Sequence, residues 1–128
     1  MTFLADVATM LTTGGITDPV WLVTLPETPD KGVMVAEIPG AGGLEIAMGR
    51  KIERRRYVQV LCRAAVDETA ACIALAEAVW QVLALQQRQT VAGTVYDLVL
   101  AQGNPYPVRV DQNERPLVSC TYAVWQQV

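Results

Sequence analysis

The chain reads as an α+β domain, a single mostly antiparallel sheet packed against one long helix and a short N-terminal helix. Three observations predict this. Apolar residues recur at helical spacing near the N-terminus and again after Asp67. Runs that alternate with a two-residue period lie between these segments and after them, bounded by Pro- and Gly-rich turns. The strands also come in consecutive groups, not in regular alternation with helices, which excludes a parallel βαβ sheet. With 128 residues, 52% apolar and 18% charged, the sequence is sized for one domain spanning 1–128 and is too apolar to stay disordered.

Taken in order, Thr2 is placed to cap a short helix whose Phe3, Leu4, Val7, Met10 and Leu11 form one stripe, stopped by Gly14 and Gly15. Val20 to Leu25 and Val33 to Ile38 are apolar and β-branched enough to be strands, separated by the turn-forming stretch from Pro26 to Gly32. Leu44, Ile46 and Met48 give a brief strand signal, which Gly49 and a basic cluster interrupt. Tyr57 to Ala65 then forms a strand with Val58, Val60 and Cys62 on one face and Tyr57, Gln59, Leu61 and Arg63 on the other. Asp67 is expected to cap the long helix, which runs to about Gln87. Its apolar stripe of Ile73, Ala76, Val79, Trp80 and Leu83 is widened by Cys72, Leu75, Val82 and Leu85, so it is expected to be covered on two sides. Three strands follow, Thr94 to Leu100, Tyr106 to Asp111 and Leu117 to Trp125.

Composition removes several functions. A net charge of −3 argues against a general nucleic-acid binder, which needs Lys and Arg spread over a face. The exception is local: Arg50, Lys51, Arg54, Arg55 and Arg56 hold five of the ten basic residues within seven positions. Cys62, Cys72 and Cys120 have no CxxC spacing and no histidine to complete a zinc site, so free, buried thiols are expected, with no metal and no cofactor. The absence of histidine also excludes imidazole-based catalysis, and the thirteen acids are scattered. Neither glycine-rich stretch, Thr12 to Gly15 or Gly40 to Gly43, joins a strand to a helix N-terminus as a phosphate loop must. The expected class is therefore not an enzyme. No signal peptide or membrane span is recognised, which points to synthesis in a reducing cytoplasm. Trp21, Trp80 and Trp125 each sit in apolar runs and are expected in the core.

The basic cluster has three readings: a solvated loop, a contact to acids on a neighbouring copy, or a contact to the phosphates of passing DNA. Sequence leaves all three open.

The order of motifs resembles the tail terminator and minor capsid (head–tail joining) proteins of long-tailed bacteriophages. The residues that carry the resemblance begin with the N-terminal helix, Pro26-Glu27-Thr28-Pro29-Asp30 and Val33-Met34-Val35-Ala36-Glu37-Ile38-Pro39-Gly40. They continue in Val58-Gln59-Val60-Leu61-Cys62-Arg63-Ala64 leading into an alanine-rich helix. They end in Pro107-Val108-Arg109-Val110-Asp111-Gln112-Asn113-Glu114-Arg115-Pro116 and a strand closing on Tyr122-Ala123-Val124. The resemblance implies a structural virion protein that forms a closed hexameric ring, caps the tail tube and joins it to the neck of the head. The implied partners are further copies of itself, the tail tube protein and a head-neck connector protein, with non-specific contact to passing DNA and no membrane. The implied location is the head-proximal end of the tail in the virion, and the host cytoplasm during assembly. Arg50, Lys51, Arg54, Arg55 and Arg56 are the candidate inter-subunit or DNA-channel contacts. The alternatives are another head–tail connector or minor capsid component, or a monomeric adaptor or inhibitor module.

Overall fold

The computed structural model describes residues 2–39, 42–46 and 52–128. Among these, two helices, α1 (Thr2–Thr13) and α2 (Thr69–Leu83), accompany one sheet of nine strands. The strands are β1 (Val20–Leu22), β2 (Gly32–Glu37), β3 (Gly43–Ile46), β4 (Ile52–Arg63), β5 (Leu85–Gln86), β6 (Gln89–Val91), β7 (Thr94–Ala101), β8 (Tyr106–Val110) and β9 (Pro116–Gln127).

The two 12-residue strands β4 and β9 form the spine, antiparallel from Glu53↔Gln127 to Arg63↔Leu117. Beyond β4, β3 pairs with its first residues and β2 with its last. Beyond β9, β8 pairs with its first residues and β7 with its last, and β5 and β6 both pair with β7. β1 runs parallel to β2, so the sheet is mixed, with antiparallel pairing everywhere else.

The expected architecture needs four corrections. First, the helices are of similar length, 12 and 15 residues, not one long and one short. Second, α2 is shorter at both ends than Asp67 to Gln87. Asp67 takes a left-handed backbone (φ 65°) and Glu68 occupies the cap position, while Leu85 and Gln86 leave the helix to pair with Leu100 and Val99. Third, the run from Val20 stops at Leu22, because Val23 is left-handed (φ 73°), a conformation that breaks a strand. Fourth, the last three residues of the basic cluster form strand and do not break one. Arg54, Arg55 and Arg56 lie within β4 and pair across to β3 and β9, whereas Gly40, Ala41 and 47–51 fall outside the described residues.

Both helices pack on one face of the sheet. From α1 come Phe3, Leu4, Val7, Met10 and Leu11, and from α2 Cys72, Leu75, Ala76, Val79 and Leu83. They meet Val33 and Val35 of β2, Val58, Val60 and Cys62 of β4, and Val118, Cys120, Tyr122 and Val124 of β9. The period-two pattern of β4 thus places its Val58 face inward, and the paired register carries β2 and β9 with it. Asp6 is also buried on the inner side of α1, where its Oδ2 accepts a 2.5 Å hydrogen bond from the Tyr96 hydroxyl. The three cysteines are free and buried; the Cys72 thiol points at the carbonyls of Cys62 (3.3 Å) and Pro116 (3.4 Å).

A second buried assembly fixes the loop before β2. Arg63 is 1% exposed, and its guanidinium donates to the carbonyls of Asp30 (2.7 Å), Pro26 (2.6 Å) and Pro29 (2.8 Å) while lying 5.6 Å from the Trp21 ring centre. That ring packs where a side chain at Gly32 would stand, so only glycine fits there. Arg115 donates to Asp111 (2.8 Å), to the Asp30 carboxylate (3.2 Å) and to the Glu27 carbonyl (2.7 Å). Asp111 in turn accepts the backbone N–H groups of Asn113 and Arg115, and these bonds, opposed by burial, hold its carboxyl below the usual range. Between them the two cations bind the carbonyls of Pro26, Glu27, Pro29 and Asp30, so removing either orphans several acceptors at once.

Arg63→Ala is therefore expected to lose about 3 kcal/mol of stability, the size typical of breaking a buried charged network, as read from urea unfolding.

Burial pushes the thiols of Cys62, Cys72 and Cys120 upward, and it raises the hydroxyls of Tyr96 and Tyr122 as well. Groups whose folded pKa exceeds the unfolded one contribute stability that is intact at low pH and lost on the alkaline side. The part of the stability that these groups supply should accordingly be level below about pH 8 and fall as pH climbs past the unfolded thiol value of ~8.5 and then the tyrosine value of ~10. Replacing the three cysteines by alanine should move the onset of that fall toward ~10, by thermal unfolding across pH.

Candidate interaction surface

The face of the sheet opposite the helices has no helix over it among the described residues. Register assigns its side chains: Trp21 and Met34 on β1 and β2, Tyr57 and Leu61 on β4, Trp125 on β9, Leu98 and Leu100 on β7, and Tyr106 on β8. These are half-buried or exposed, against near-complete burial of the helix-side residues. Ser119 and Ala123, the small residues among them, are fully buried by their larger neighbours. Two of the three tryptophans expected in the core, Trp21 and Trp125, instead stand on this face. Trp80 packs at the core edge and donates its indole N–H to the Gly103 carbonyl (3.1 Å). A contiguous aromatic and aliphatic face of this kind is the usual mark of a protein contact.

Of the basic cluster, Arg50 and Lys51 lie outside the described residues, and the other three have different surroundings. Arg54 is exposed on the helix side of β4. Arg55, on the opposite side, has its guanidinium 5.6 Å from the Tyr57 ring centre. Arg56 is held by Glu37 through two bonds, Nε to Oε2 (2.7 Å) and Nη2 to Oε1 (2.6 Å), and it stacks 4.0 Å from the Phe3 ring centre. That fork, helped by the nearby charge of Arg54, keeps the Glu37 carboxyl below the usual range against the opposing effect of burial. Beside the three arginines is an open cleft of 430 Å³, walled by Glu37, Ile38, Pro39 and by Gly42, whose left-handed backbone (φ 87°) lets it lie against the Arg55 carbonyl.

Sequence alone did not bring Glu37 to Arg56, nor did it mark Arg63 and Arg115 as buried. A 19-residue separation hides the first pair, and strand alternation assigned Arg63 a side of the sheet without revealing that a loop closes over it. No group of three or more His, Cys, Asp or Glu residues able to hold a metal occurs among the described residues. No described helix is long and apolar enough to cross a membrane.

No family model and no curated protein matches the sequence. Solved structures do match. One is a chain from the virion of a native gene transfer agent particle, with a TM-score of 0.68 and 14% identity, covering 98% of this chain and 95% of that one. Another solved chain superposes with a TM-score of 0.61 at 14% identity, covering 98% of this chain and 91% of that one. At that identity the likeness is one of fold, and it runs essentially end to end.

The different surroundings of Arg54 and Arg56 separate their roles. Arg56→Ser should lose about 1–2 kcal/mol, because it removes a charge-assisted fork and strands Glu37, whereas Arg54→Ser should stay within about 0.5 kcal/mol. The Glu37 contribution is present above the unfolded glutamate pKa of ~4.3 and disappears as pH falls, so the gap between wild type and Arg56→Ser should narrow on acidification in thermal unfolding.

Proposed function

We propose that this protein is a structural component of a phage-type virion, a tail terminator that forms a hexameric ring on the tail tube and joins it to the neck of the head. The observation that carries this reading is the full-length fold likeness to a chain of the gene transfer agent virion. The motif resemblance points the same way independently, and the uncovered aromatic face supports it. A ring subunit must bury surface against two neighbours, and a sheet with helices on one side only has surface to offer. Within this reading the basic cluster, with Arg54 at its exposed centre, meets acidic side chains of an adjacent copy or the phosphates of DNA passing through the ring. Arg56 is held by Glu37 and acts in the subunit itself.

Negative-stain microscopy of the purified protein, alone and mixed with polymerising tail tube protein, tests the proposal. Rings of six, and tubes that stop growing once capped, are expected. A protein that remains monomeric in both samples and leaves tube length unchanged would sink the reading.

A further inference from the structure

We propose that the β3–β4 hairpin of one copy docks head to tail on the outward face of α2 in the next copy. The inference rests on the ring reading above and supplies its contact.

The hairpin is an unfinished piece of the helix-covered face. Along β4, Ile52 and Arg54 alternate on the same side as Val58 and Val60, and Leu44 pairs with Arg54 on that side. Inside the chain this side is roofed by helices, but the roof ends at Phe3 of α1, above Arg56. Past that point Leu44 is 71% exposed and Ile52 53%, and Val128, whose backbone N–H binds the Ile52 carbonyl, is 81% exposed. Leu44 and Ile52, on the side that helices cover elsewhere, offer an apolar footing for a further helix from outside the subunit.

The outward face of α2 is such a helix. Ala70, Ile73, Ala74, Glu77, Ala78 and Gln81 recur at helical spacing and are all exposed, with Ile73 at 42%. Ala74 and Ala78 of this face, with Ala71 and Leu75, border a groove of 390 Å³ between α2 and the Gly15–Asp18 segment, wide enough for a leucine or isoleucine to enter. The charges are opposite. Glu77 is the sole charged residue of Thr69–Leu83, and Asp67 and Glu68 precede the helix, whereas the hairpin face carries Arg54. Lys31, on the far rim, is already paired with Asp18 (3.8 Å). A single copy cannot make this contact with itself. α2 turns Cys72, Leu75, Ala76, Val79 and Leu83 to the sheet of which the hairpin is part, so its exposed Ala74 and Glu77 face away from that sheet. Hairpin and helix are also different surfaces, so the contact is heterologous. Each copy keeps one of each free for a further neighbour, as ring closure demands.

Two measurements on the full chain test this. Leu44→Cys and Ala74→Cys are combined in one chain, where both sites are exposed and the native thiols are buried, and oxidised at the assembly concentration. A ladder of covalent multimers beyond the dimer is expected. In parallel, Arg54→Glu and Glu77→Arg are compared singly and together by sedimentation velocity. Each single reversal should raise the concentration for half-assembly about tenfold or more, and the double reversal should restore it to within about threefold of wild type. Circular dichroism separates a misfolded variant from a dissociated one, and all of these sites are exposed. Multimers that form without the crosslink, and that ignore both single reversals, overturn the inference and leave the ring reading standing. A ladder that stops at the dimer also overturns the head-to-tail contact. A wild-type chain that stays monomeric alone and with tail tubes removes both the ring reading and this contact.

Discussion

Everything in this fold hangs on the antiparallel pairing of β4 with β9. Eleven consecutive residue pairs join them, so a slip of one residue would turn either Val58, Val60 and Cys62 or Val118, Cys120 and Tyr122 out of the core. The shorter strands take their places from this pair. Each long strand has two successive neighbours on its outer side, β3 then β2 along β4, and β8 then β7 along β9. The sheet can therefore change partners halfway without breaking, and its ends can extend past the helices. The hairpin exists because β4 is longer than the layer that covers it.

The same length explains why four arginines on one strand have four fates. Arg63, at the end of β4 beneath the Pro26–Asp30 loop, is enclosed and bound to three carbonyls. Its guanidinium is lowered in pKa by burial and by Arg115, yet it stays charged, since arginine starts far above neutrality. Arg56, at the edge of the helix layer, is clamped between Phe3 and Glu37. Arg55, one residue away, points to the other side and lies near Tyr57. Arg54 is beyond the layer and in water. Position relative to the helices decides the role of each, and charge type decides none of it.

That dependence sets what could be read from the sequence. The α+β class, the two helices, the position of β2 and the division of β4 into two faces were legible, because each rests on local periodicity of 3.6 or 2. Cys62, Cys72 and Cys120 as buried thiols followed from spacing. That β4 includes Arg54, Arg55 and Arg56 was not legible, since a run of like charges marks a loop on composition, and only pairing with β3 and β9 makes a strand of these three. β5 and β6 were missed for a related reason: two or three residues carry no period, and Leu85 continues an apolar helical stripe until the partner Leu100 claims it. Trp21 and Trp125 looked like core because an apolar run does not disclose whether its second face has a cover.

The cover is the decisive asymmetry. A two-layer fold buries one face of its sheet by itself and must leave the other to water or to a partner. Here the open face is rich in aromatics, and the helix layer stops short of the strand ends it would need to roof. The two deficits are of different kinds. A broad, half-buried face with Trp21, Tyr57 and Trp125 suits a flat contact whose affinity comes from area and a few aromatic anchors. The hairpin, with two aliphatic side chains and one arginine, suits a narrow contact whose register is set by charge. An assembly built from both would have one contact that supplies most of the stability and another that selects the neighbour's orientation. Within that proposal, the division would account for a protein of low charge overall that nonetheless carries Arg54, Arg55 and Arg56 in succession on β4.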